Sequence, residues 1–175
     1  LCALIEGGHQ ERNLRAGTEN LLGIIGLAEA FRAAREEMDA ENNRLTRLRD
    51  LLQRRLEERI PEIKLNGHPR HRLPGTLNIT FKYIEGESIL LSLDMEGIMV
   101  STGSACSSDS LEPSHVLLAM GLNHQDAHGS IRFSLSIYNT KEEMDYIIEH
   151  LPPIIQRLRD ISPFWKDYLK SQGKG

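Results

Sequence analysis

Apolar and polar residues alternate with two different periods along this chain, and the change of period divides it. From Leu21 onward the apolar positions Leu27, Phe31, Ala34, Met38, Leu45, Leu48, Leu52 and Leu56 recur at helical spacing until Pro61, which marks one face of an α-helix. A stripe through about 40 residues is long for a globular helix. Such a length suits a helix that leaves one domain and enters another, with a bend expected near Asn42 and Asn43. Thr18 in "AGTEN" is the expected N-cap, since its hydroxyl can accept an orphan backbone N–H. Between Arg44 and Arg59 the arginines alternate with Asp50, Glu57 and Glu58, as on a solvated face.

Beyond Pro61 the period falls to two. "TLNITFKY" sets Leu77, Ile79, Phe81 and Tyr83 against Asn78, Thr80 and Lys82, which predicts a half-buried strand. "ESILLSLDME" predicts a short helix stopped by Gly97, and "IMV" a buried strand leading into the serine-rich segment after it. "EPSHVLLAMG" places Pro113 in the first turn of a further helix and Gly121 at its end. "SIRFSLSI" points Ile131, Phe133, Leu135 and Ile137 to one face and Arg132, Ser134 and Ser136 to the other. "TKEE" at Thr140 to Glu143 is a capping box opening a helix that Pro152 and Pro153 are expected to kink or break. The tail after Pro163 is expected to be loosely ordered. Helices flanking a few alternating strands predict an α+β domain, with the opening segment as a leftover piece of a neighbour.

Composition narrows the function. At 175 residues the chain is long enough for about one domain, and a formal net charge of -4 argues against direct nucleic-acid binding. Its apolar runs are too short to cross a bilayer, which takes about 20 residues. The start, "LCALIEGG", has no initiator Met and no signal-peptide pattern, and it reads as the middle of a longer chain. Two cysteines, Cys2 and Cys106, form neither a disulfide framework nor a metal-binding spacing, which favours a reducing, cytoplasmic setting. Cys2 lies in an apolar run and is expected to be packed.

Cys106 is different, for it sits in "STGSACSSDS" with no bulky neighbour. That setting leaves the sulfur accessible, and thiol reactivity follows thiolate formation. A flexible connection built from Ser and Gly is the plainer reading. Arg132 can grip a carboxylate with two parallel hydrogen bonds, or merely cover apolar surface with its stem. Thr18 is a cap and also a possible anion contact at a helix start. "HPRH" at His68 to His71 is a poor metal site because a proline interrupts its spacing and no third ligand is near in sequence. No metal is expected. His115, His124 and His128 are acid–base candidates by proximity to Cys106 in sequence, with solvent exposure as the alternative.

Taken together, "GGHQERNLRAGTEN", "YIEGESILLSLDMEGIMVSTGSACSS", "LEPSHVLLAMGL" and "SIRFSLS" resemble successive parts of the NifS/IscS-type cysteine desulfurases. The resemblance implies a fold type I pyridoxal 5'-phosphate (PLP) enzyme: residues 1–20 as the end of its large domain, 21–61 as the connecting helix and 62–175 as the small C-terminal domain. It implies that Cys106 takes sulfur from a PLP-bound L-cysteine as a persulfide, releasing alanine. Arg132 would hold the substrate carboxylate, and Thr18 would reach the cofactor phosphate of the other subunit in a homodimer with shared active sites. The sulfur acceptor implied is an iron–sulfur scaffold protein, with no membrane partner. None of Lys64, Lys82, Lys141, Lys166, Lys170 and Lys174 matches the family's PLP-anchoring lysine, so the chain alone is expected to be inactive. Asn13 stands where the family commonly has glycine. A thiol redox enzyme and a non-catalytic scaffold-docking module are the rival expectations.

Overall fold

The computed structural model describes residues 1–102 and 113–173. Its elements run α1 (Gln10–Asn13), α2 (Leu21–Arg59), β1 (Ile63–Leu65), β2 (Thr76–Phe81), α3 (Gly86–Asp94), β3 (Ser101–Thr102), α4 (His115–Ala119), α5 (His124–His128), β4 (Ser130–Ser134), α6 (Lys141–Ile161) and α7 (Pro163–Ser171). They divide into two compact units, Leu1–Ala40 and Glu41–Gly175, with the boundary inside α2.

In the first unit, Leu4 N–H donates to Leu14 O and Ala16 N–H to Ile5 O, tying the chain start to residues 14–16. Between them α1 is a single turn in which Glu11, Arg12 and Asn13 all have positive φ (49°, 57° and 66°). Left-handed backbone is costly for most side chains but tolerable for Asn, the residue at position 13. The cap of α2 is a correction. Asn20, not Thr18, accepts from the N–H of Gly23 at 3.0 Å, and the helix begins at Leu21. An amide one residue before the first helical turn has the geometry that a hydroxyl three residues before it lacks.

The second unit carries the core. Its sheet has the order β1-β2-β4-β3, antiparallel throughout. Leu77, Ile79, Phe81, Ile131 and Phe133 point to one face, where they meet Leu48, Leu52 and Leu56 of α2, Ile89 and Leu93 of α3, and Met144, Ile148, Leu151 and Ile155 of α6. Burying such side chains contributes roughly 1.5 to 3 kcal/mol each. That burial, rather than helix propensity, selects which stripe of α2 faces inward. The mixed helix and small antiparallel sheet is the α+β architecture expected.

Several local expectations are corrected. Pro152 and Pro153 do not break α6, which continues for 21 residues from a capping box at Thr140 and Glu143. A proline frees the carbonyl four residues back, and Ile148 O is taken up by Arg59 Nη1 at 3.0 Å. "IMV" forms no strand: Ile98 is buried, Met99 is 89% exposed, and pairing begins only at Ser101. β4 stops at Ser134, leaving Ile137 exposed, because Arg44 and Asn139 hold the following backbone in a turn. The tail is ordered as α7, capped by Ser162, with Trp165 buried against Arg159 and Tyr83. α2 runs unbroken through Asn42 and Asn43.

Candidate functional site

The apolar face of the sheet is spent on the core, so any chemistry of these strands lies on the other face. There β2 and β4 set Asn78 opposite Arg132 and Thr80 opposite Ser130, and β3 sets Ser101 against Arg132 from the other side. Side chains directly opposite in an antiparallel pair lie about 4.5 to 5.5 Å apart at Cβ. Asn78, Arg132 and Ser101 therefore form one polar row across three strands.

Below that row the polar groups satisfy one another. Asn66 is 7% exposed, and its Nδ2 donates to Asn78 Oδ1 at 2.7 Å, with Thr80 Oγ1 and Ser130 Oγ at 2.9 and 3.1 Å. The hydroxyls of Thr80 and Ser130 lie 2.8 Å apart, and Ser130 donates to Asp126 O at 2.7 Å. Arg132 stands apart from this network. Its Nε is shut off from solvent and has no hydrogen-bond partner among the described residues. A buried donor left unpaired costs roughly 1 to 3 kcal/mol, more when charged, and a bound carboxylate is the acceptor that would relieve it.

Cys106 lies outside the described residues, but the strand that leads towards it does not. β3 enters the 103–112 segment from a position hydrogen-bonded beside Arg132, and the chain resumes at the buried Pro113 and Ser114. His115, His124 and His128 are all exposed, at the ends of the short helices α4 and α5. The His68 and His71 ring centres lie 4.6 Å apart, the rings tilted by 49°, and His68 Nδ1 accepts from the N–H groups of Arg70 and His71 at 3.0 and 2.9 Å. That nitrogen is engaged in shaping its own turn. Cys2, expected to be packed, is exposed.

Thr18 lies in the first unit, exposed and just before α2. Arg15 Nη1 donates to the carbonyls of Gly17 and Thr18, both at 3.0 Å, and Gly17 N–H donates to Gln10 Oε1. With its carbonyl oxygens so occupied, this segment offers a hydroxyl near a helix start, a donor set suited to the phosphate of PLP. It does not offer an anchor for the cofactor ring. Lys82, Lys141 and Lys170 are paired with Glu62, Asp145 and Asp167, and Lys64 and Lys166 are surface residues of the second unit. The fit is to the phosphate end only.

Comparison with known proteins defines the class. Residues 5–147 match the family described as aminotransferase class V, and this chain belongs to that family. Within it the similarity is to cysteine desulfurases of the NifS/IscS type. The cysteine desulfurase IscS of Clostridium botulinum is 55% identical over 172 residues, which is 97% of this chain and 43% of that protein. NifS of Azotobacter vinelandii is 52% identical over 162 residues, 93% of this chain and 40% of its own length. A solved NifS-like protein from Rickettsia africae superposes with a TM-score of 0.76 at 31% identity, over 89% of this chain and 40% of that one. The chain thus spans less than half the length of these relatives. Among the described residues, no helix is long and apolar enough to cross a membrane.

What the sequence did not single out is Asn66 and Asn78. Only the polar phase of "TLNITFKY" hinted at Asn78, since period two puts it on the face shared with Arg132.

Proposed function

We propose that this chain is the C-terminal portion of a PLP-dependent cysteine desulfurase that takes sulfur from L-cysteine onto Cys106. The balance is L-cysteine plus the Cys106 thiol giving L-alanine plus a Cys106 persulfide. The sulfur–sulfur bond forms as the substrate's carbon–sulfur bond breaks, and the carbon left behind gains a proton. PLP, when bound, supplies the electron sink that makes that bond breakable. The part of this chain is to hold and receive: Arg132 grips the substrate carboxylate, Cys106 accepts the sulfur, and Thr18 meets a cofactor phosphate.

The observation that carries the reading is the register Ser101 to Arg132, which starts the Cys106-bearing segment beside a guanidinium whose Nε lacks an acceptor among the described residues. The similarity to named desulfurases favours this reading over a thiol redox enzyme or a docking module alone. It brings with it the assignment of residues 1–20 to a large domain, 21–61 to a connecting helix and 62–175 to a small domain. A homodimer with shared active sites, a cytoplasmic location and an iron–sulfur scaffold protein as acceptor belong to the same proposal. So does inactivity of residues 1–175 alone, for want of an anchoring lysine.

The test uses the full-length protein. With PLP, L-cysteine and a reductant it should release alanine and accumulate a persulfide at Cys106, read by mass spectrometry. Cys106→Ser should abolish both while PLP absorbance persists. Normal alanine release by that variant would refute the assignment.

A further inference from the structure

Asn78 is the residue of the polar row that the proposed function leaves without a task. It stands opposite Arg132 on the neighbouring strand and is half-buried. The buried Asn66 amide donates to its Oδ1 at 2.7 Å, and that amide is itself fixed by Thr80 and Ser130, both fully buried. A carboxamide has one oxygen and one NH2 group. With the oxygen so engaged, the acceptor of Asn78 is turned to Asn66, and among the described residues nothing takes its two N–H donors.

A pair of donors without an acceptor among the described residues, set opposite a cation, has a restricted choice of ligand. Neither Arg132 nor an Asn78 NH2 group can accept a hydrogen bond, so the two together repel donors and suit an anion. A planar carboxylate has acceptor sites enough to take the guanidinium and one amide N–H at once. We propose that Asn78 is a second carboxylate-orienting residue, locked by Asn66 so that its amide N–H completes the Arg132 clamp on the amino-acid substrate. This rests on the desulfurase reading and refines it by adding a specificity determinant. A guanidinium alone grips a carboxylate but leaves it free to tilt about their shared axis. A third donor from the next strand removes that freedom, and with it some of the entropy lost on reaching a reactive pose.

The decisive variant is Asn78→Asp in the full-length enzyme. It is isosteric and keeps an oxygen for Asn66, yet it replaces the N–H donors with a second oxygen that faces the incoming carboxylate. The KM for L-cysteine should rise at least about tenfold, equivalent to 1.4 kcal/mol, with the thermal midpoint close to wild type. Cysteamine, which is cysteine without its carboxylate, separates orientation from mere structure: its binding, measured as competition against L-cysteine, should not weaken. Asn78→Ala should show the same split with a smaller KM change. An unchanged KM for L-cysteine in Asn78→Asp, or equal weakening of L-cysteine and cysteamine, would overturn this inference alone. A wild-type enzyme that released no alanine from cysteine would overturn the desulfurase reading and this inference with it.

Discussion

Two arginines in the second unit show how the same side chain can be structural or available. Arg159 is 1% exposed and donates to the carbonyls of Pro61, Glu62 and Lys82 while lying 4.5 Å over the Trp165 ring. Burial pulls its guanidinium below the usual arginine range, with Glu62 opposing the shift. Arg159→Leu would orphan those carbonyls, and urea unfolding should show a loss of about 3 kcal/mol or more. Arg132→Ala should do the reverse. Deleting a buried donor that has no partner among the described residues should leave stability unchanged or raised, whereas the KM for L-cysteine should worsen by about 2 kcal/mol or more; a matching loss of stability would make Arg132 structural. Glu62 gives a pH prediction. The hydrogen bond from Tyr168, then those from Lys82 and its charge, hold its carboxyl below the ordinary glutamate value against the pull of burial. A depressed carboxyl binds more protons unfolded than folded, so its stabilisation is full above the ordinary value and fades as pH falls through the folded one. Trp165, the single tryptophan, reports on that corner. Its emission should begin to shift at a higher pH on acidification in Tyr168→Phe than in the parent.

Elements persisted where a neighbour supplied what the local sequence lacked. α6 survives two prolines because Arg59, 89 residues earlier, takes the Ile148 carbonyl. Arg59→Met should therefore destabilise by about 1 to 3 kcal/mol in urea unfolding, and adding Pro152→Ala should recover most of it by restoring an N–H partner. No recovery would mean that Arg59 acts elsewhere. β4 depends on space. The carbonyl of Gly129, just before it, accepts from the N–H of Phe81 at 2.8 Å, and a Cβ there would lie 2.7 Å from Phe81 O and 2.9 Å from Ile84 O. Both obstacles are backbone atoms, so Gly129→Ala should strain the strand pairing that carries Arg132. Period two identified β2 and β4, and period 3.6 identified α2. The cap at Asn20, the end of β4 at Ser134 and the ordering of α7 around Trp165 were missed, since each rests on a contact with a distant or competing group.

At the scale of the molecule, the two units differ in how they treat apolar residues. The second buries its stripe of α2, whereas in the first Leu21, Leu22, Ile24, Ile25, Leu27 and Phe31 are all more than half exposed. Apolar area of that kind favours association in water. The isolated 175-residue chain should therefore bind an apolar dye and self-associate in light scattering, and removing residues 1–40 should reduce both. What the sequence by itself determined was the set of segments that become helix or strand in the second unit, the phase that puts Arg132 on the polar face, and the family, because periodicity and ordered motifs are properties of neighbouring residues. What only the tertiary structure decided was the company Arg132 keeps. Asn66, Asn78 and Ser101 come from three separated stretches, and their meeting follows from strand order and register, which are set by how the opposite face of the sheet packs.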